Sequence, residues 1–95
     1  MKLIYYYDAG HGWLAVKINR LKELGIKVAQ DGASWPYPEL TISRSSYRRG
    51  DTVYLEEDND MKVFMDAAKK RGWLIEIEER ESNQIRNFRP VDRVA

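Results

Sequence analysis

The chain has no cysteine and a single histidine, His11. The first absence removes disulfides, thiolate nucleophiles and zinc–thiolate sites, and the second leaves any metal site to carboxylates. No apolar run approaches the roughly 20 residues of a membrane span. The amino terminus also lacks a basic region followed by an apolar block and a cleavage site. A cytoplasmic protein without membrane contact is therefore expected. Charge of one sign is missing too: 16 Lys and Arg stand against 15 Asp and Glu, a net +1. So small a balance exerts little long-range pull on nucleic acid and is too weakly acidic to imitate it. Charge-based recognition has to come from local patches.

What remains is a chain of 95 residues, 43% hydrophobic and 33% charged, the composition of an ordinary globule with one modest core. It is too short for a multi-step enzyme with its own cofactor domain, and no cofactor is expected.

Leu3, Tyr5 and Tyr7 alternate with Ile4 and Tyr6 as a first strand. Asp8 to Gly12 supplies turn residues, and Trp13 to Val16 returns antiparallel. Ile18, Leu21 and Leu24 mark a short helix with Gly25 as its left-handed cap and Ile26 folding back. Ala29 to Glu39, "AQDGASWPYPE", is a loop with two aromatics. Strands follow over Leu40 to Tyr47 and Thr52 to Glu57, joined by "RRGD". Met61, Phe64, Met65 and Ala68 then set out the clearest helix, with Asp58 or Asp60 as N-cap and Gly72 at its end. Trp73, Ile75 and Ile77 alternate as a last strand. The expected fold is α+β: a small mixed sheet in the order β-β-α-β-β-α-β with two helices on one face. Residues 1–81 form the domain and 82–95 a C-terminal tail. Trp13, Val53, Leu55, Phe64, Ile75 and Ile77 are the expected core.

The blocks "YDAGHGWLAV", "LKELGI", "SYRRGDTVYLEEDND" and "RGW" together resemble a family of small uncharacterised proteins carried by bacteriophages, plasmids and other mobile elements. The likeness spans about two thirds of the chain and brings no catalytic residues with it. Relatives of that pattern pass quickly from "LGI" to "SY", so the Trp35 loop reads as an insertion. Lys17 stands where a proline is common.

Asp8 and His11 offer an acid-oriented base, and N–H groups around Gly10 and Gly12 an anion nest. No nucleophile accompanies them, and turn chemistry alone explains each residue, so no catalytic residue is expected here. "LEEDND" at 55–60 groups four carboxylates. It lacks calcium-loop spacing, and acidic residues in a first helical turn serve the free N–H groups, so no metal is expected. Trp35 and Tyr37 each precede a proline and present aromatic area at little ordering cost, either to a partner or as a lid on the core. Arg86, Arg89 and Arg93 are further partner-binding candidates, with Arg44, Arg48 and Arg49 as secondary contacts if the hairpin lies close.

The favoured reading is a non-enzymatic protein-binding protein whose partner is a host protein or nucleoprotein complex. In the mobile-element setting that means an inhibitor of a host defence system such as a CRISPR effector. The alternative is a nucleic-acid-binding accessory protein using arginine and aromatic contacts. A minimal hydrolase at the "DAGHG" turn ranks last.

Overall fold

In the computed structural model, which describes residues 1–94, the aromatic run forms β1 (Lys2–Tyr7) and returns as β2 (Gly12–Lys17). Alternation sends Leu14 and Val16 to one face and Trp13 and Ala15 to the other. On the far side of β2 runs β6 (Thr52–Glu56), which opposes Leu55 to Leu14 and Val53 to Val16. All four side chains are buried. Two helices, α1 (Ile18–Glu23) and α2 (Asp60–Lys70), lie on that face. There Ile18, Leu21, Phe64 and Ala68 join the same core.

The first helix ends as its residues dictate. Gly25 takes φ 74°, a backbone region other side chains rarely adopt. Its N–H reaches the Lys22 carbonyl while that of Ile26 reaches Leu21, both at 3.0 Å, the double closure of a glycine-capped helix.

The sheet is completed by β5 (Tyr47–Arg49), β7 (Glu76–Glu81) and β8 (Arg89–Pro90). Its order is β7-β1-β2-β6-β5-β8, and β7 runs parallel to β1. A separate parallel pair, β3 (Lys27–Val28) and β4 (Thr41–Ile42), closes the base of the 29–40 loop. The architecture is α+β with a mixed sheet and two helices on one face. Among the described residues no helix is long and apolar enough to cross a membrane.

Four expectations need correction. The strand expected over Leu40 to Tyr47 is two short ones, because Ser43 and Ser46 turn the chain to meet the buried Asp60 carboxylate. Neither Asp58 nor Asp60 caps α2: Glu56 reaches forward from β6 and accepts the N–H groups of Asp58, Asn59 and Asp60 at 2.7–3.0 Å. Trp13, Val53, Leu55 and Phe64 are buried, but Ile75 is only half-buried and Ile77 is 37% exposed. The last strand begins at Glu76 rather than Trp73, and Ile77 sits on the outermost strand.

The fourth correction concerns the segment 82–95, of which Ala95 lies outside the described residues. It is not a tail. From the end of β7 it crosses the helix-free face through a short 3-10 turn (Ile85–Asn87) to pair as β8 with β5 at the opposite edge. Ile85 is buried on the way, and Val91 and Val94 are buried beyond β8, the latter two in the main core.

Candidate functional site

Three groupings of the candidate residues emerge. The first is the opening turn. Asp8 accepts the N–H groups of Gly10 (3.0 Å) and His11 (2.9 Å) on Oδ1, an Asx-type turn. The Gly10 and His11 amides are thus already used by the chain's own carboxylate. Arg86 arrives from the C-terminal segment: Nε donates to Asp8 Oδ2 at 2.8 Å, Nη2 contacts His11 Nδ1, and the guanidinium lies 5.6 Å from the centre of the Trp13 ring. Hydrogen bonding to Arg86, then to the turn amides, holds the Asp8 carboxyl well below the usual carboxylate range. His11 stacks on Trp13. The cluster fastens the C-terminal segment to the hairpin, so Arg86 is engaged within the chain.

Gly12, last in the quoted motif, has a close-approach role. A Cβ there would collide with the Tyr5 hydroxyl end, and that hydroxyl donates to Glu57 Oε2 at 2.5 Å. Burial, then the Glu57 hydrogen bond, raises the Tyr5 hydroxyl above its ordinary range. The carboxylates of "LEEDND" therefore serve different partners: Glu56 caps α2, Glu57 takes Tyr5, and Asp60 takes Ser43 and Ser46. Among the described residues no group of three metal-ligating side chains converges.

The second grouping is basic. Pairing of β5 with β8 sets Arg48 directly opposite Arg89. A depression of about 530 Å³ at this rim holds Arg48, Arg49, Phe88, Arg89 and Arg93, with Asp92 as its acidic member. The secondary candidates Arg48 and Arg49 thus do meet Arg89 and Arg93. Arg44 does not, being 3.2 Å from Asp31, and Arg86 belongs to the turn. Beside the rim, on the helix-free face, Phe88, Tyr54 and Tyr6 form a row with ring centroids 5.0 and 6.0 Å apart. Ala15 opposes Tyr54 on β2, and its small side chain leaves room for the two tyrosines to meet across the strand. Burial, then the Tyr6 hydroxyl, raises the Tyr54 hydroxyl, while Arg49 and Lys17 pull it the other way. Sequence reading missed this row. Its signal was present in the alternation of Tyr54 with Val53 and Leu55 and of Tyr6 with Tyr5.

The third grouping is the inserted loop. Trp35 is 69% exposed, so it is no lid. Tyr37 is half-buried and lines, with Pro38 and Leu40, a groove of about 530 Å³ against Val63 and Lys70 of α2. Leu40 packs on the core at φ 59°, an uncommon conformation for a residue with a side chain. The arginine depression contains neither Trp35 nor Tyr37. Compared with protein-family models, with curated proteins and with solved structures, the chain matches none.

Proposed function

We propose that the chain is a non-catalytic binding protein that docks on a partner protein through the Trp35 loop. The observation that carries this reading is Trp35 itself, more than two-thirds exposed on a loop whose base is tied. Lys27 and Ala29 donate to the carbonyls of Leu40 and Ile42 at 2.9 and 2.8 Å, and Leu40 and Tyr37 pin the loop's return. A large aromatic on a fastened loop loses little freedom on binding and supplies the area that contact hot spots use. The adjoining groove gives a partner side chain somewhere to enter. A hydrolase at Asp8 and His11 is disfavoured, since both side chains are committed to Arg86.

The mobile-element resemblance makes a host defence machine such as a CRISPR effector the first partner class to try. Trp35→Ala should weaken binding to the captured partner by about 2 kcal/mol, roughly thirtyfold, with circular dichroism and melting temperature unchanged. Unaltered affinity in the folded variant would remove the loop from the interface.

A further inference from the structure

Half of the cations are matched where they stand: among the described residues, eight of the 16 Lys and Arg have a carboxylate within 4 Å. Six of the other eight line just two adjoining depressions. Lys22, Lys27 and Arg93 border one of about 360 Å³ at the end of α1. Arg48, Arg49, Arg89 and Arg93 border the arginine depression at the sheet's edge. Arg93 and Asp92 belong to both, and Asp92 is the one carboxylate in either lining. Arg48 ties the two together by donating to the Gly50 carbonyl at 2.9 Å and to the Arg93 carbonyl at 3.1 Å. These bonds fix its fork without neutralising it. Like charges held this close repel in a chain whose net charge is only +1, and Arg48 directly opposes Arg89 across the strands, an unfavourable pair. An anion from outside the chain relieves both.

The lining is not only charged. Ile26, Val28 and Val94 form apolar wall in the first depression, and a further one of about 560 Å³ continues past Lys27 and Val28 to Ala33, Tyr37 and Pro38 of the loop. The basic band therefore meets the foot of the loop. There β3 has β4 on one side only. Lys27 and Ala29 turn their N–H groups to the Leu40 and Ile42 carbonyls, so alternation turns the N–H and C=O of Val28 to the unpartnered side. An extended chain can pair with such an edge.

We propose that an acidic, apolar-containing segment of a partner protein lies extended along this band. Its carboxylates meet Lys22, Lys27 and Arg93 and run on to Arg48 and Arg89, and its apolar side chains enter the depressions beside β3. Charge complementarity selects an anion, and the apolar walls select one that carries hydrocarbon between its charges. The phosphates of a nucleic acid answer the first demand and not the second. The inference rests on the reading of the chain as a protein-binding protein and adds the chemistry of its partner. It does not depend on Trp35, which lines none of these depressions.

The test is fluorescence anisotropy of a short labelled peptide in which glutamate alternates with valine, titrated with the full chain. It should bind at low salt and weaken as salt rises, because the charges are open to solvent. Lys27→Glu with Arg93→Glu should weaken binding about tenfold or more, since two ion pairs give way to two repulsions. Both side chains are exposed, and Arg93→Gln alone, with a loss of about threefold, serves if the double variant loses structure. Lys69→Glu is the control: Lys69 is exposed on α2 and lines neither basic depression, so affinity should hold. Trp35→Ala should also leave the peptide bound, which keeps failure of the loop reading distinct from failure of this one. Absence of binding at low salt, an equal loss in Lys69→Glu, or equal affinity for a lysine–valine peptide or for polyglutamate would each overturn the proposal. So would equal affinity for oligothymidylate, which would assign the band to nucleic acid. Salt-sensitive self-association of the chain, abolished by the same double reversal, would overturn it in favour of a second copy.

Discussion

Arg86 and Asp8, 78 residues apart, are joined by two contacts, Nε to Oδ2 at 2.8 Å and Nη2 to Oδ1 at 3.3 Å. The pair closes the C-terminal segment over Trp13. Arg86→Ala should lower the melting temperature and speed amide exchange at 85–89, with β1 and β2 less affected. Acid should act the same way. Because the folded Asp8 carboxyl is held below its unfolded value, its contribution is complete above the ordinary carboxylate range and is lost as pH falls toward the depressed one. Melting temperature followed into acid should therefore fall less steeply in Asp8→Asn, which starts lower.

Gly12 faces Tyr5. Gly12→Ala should displace the ring, break the Tyr5–Glu57 bond and destabilise the chain by about 1–3 kcal/mol, the range for overpacking. Gly10→Ala is the control, because a Cβ there meets only Arg86 Nη2 at an ordinary 3.7 Å. Equal denaturation midpoints for the two variants would show that the ring moves aside freely.

Asp60 is 1% exposed and accepts from the Ser43 amide and from the hydroxyls of Ser43 and Ser46 at 2.6–2.8 Å. Asp60→Ala leaves those donors buried without an acceptor and should cost roughly 3 kcal/mol or more. Asp60→Asn keeps the acceptor for the amide while the hydroxyls rotate to accept, so its loss should be smaller. Burial raises the Asp60 carboxyl despite these bonds. Its linkage therefore runs opposite to that of Asp8: the folded state gains from protonation, and that gain is lost as pH rises through the raised value. Chemical denaturation of both variants at mildly acid and neutral pH checks the order and the sign.

Much of the fold was legible because several local signals agreed. The 61–68 periodicity fixed the face of α2, and Gly25 with Ile26 marked the end of α1. The C-terminal segment was not legible. Ile85, Val91 and Val94 are single apolar residues with no common period, and β8 is two residues long and includes a proline. They are held by what they land on, which local sequence does not encode. The same holds for the arginines. Arg48 and Arg49 were placed beside Arg89 only conditionally, because their meeting depends on a strand pairing across the whole sheet. Asp60 lost its expected N-cap role because it is already inside the helix and its carboxylate turns to Ser43 and Ser46, while Glu56, at the end of the preceding strand, accepts the amides that lead into α2.

The place of β1 between β7 and β2 also orders events in time. One of its neighbours, β2, follows within a few residues, so that hairpin can zip as soon as both strands exist. The other, β7, pairs Lys2 with Glu76 and Tyr7 with Glu81, a loop closure whose entropy cost must be met before any ladder bond forms. Such non-local pairing slows folding. On a translating ribosome, one edge of β1 therefore stays open until residue 81 has left the exit tunnel, and the segment that crosses the sheet can settle only after that.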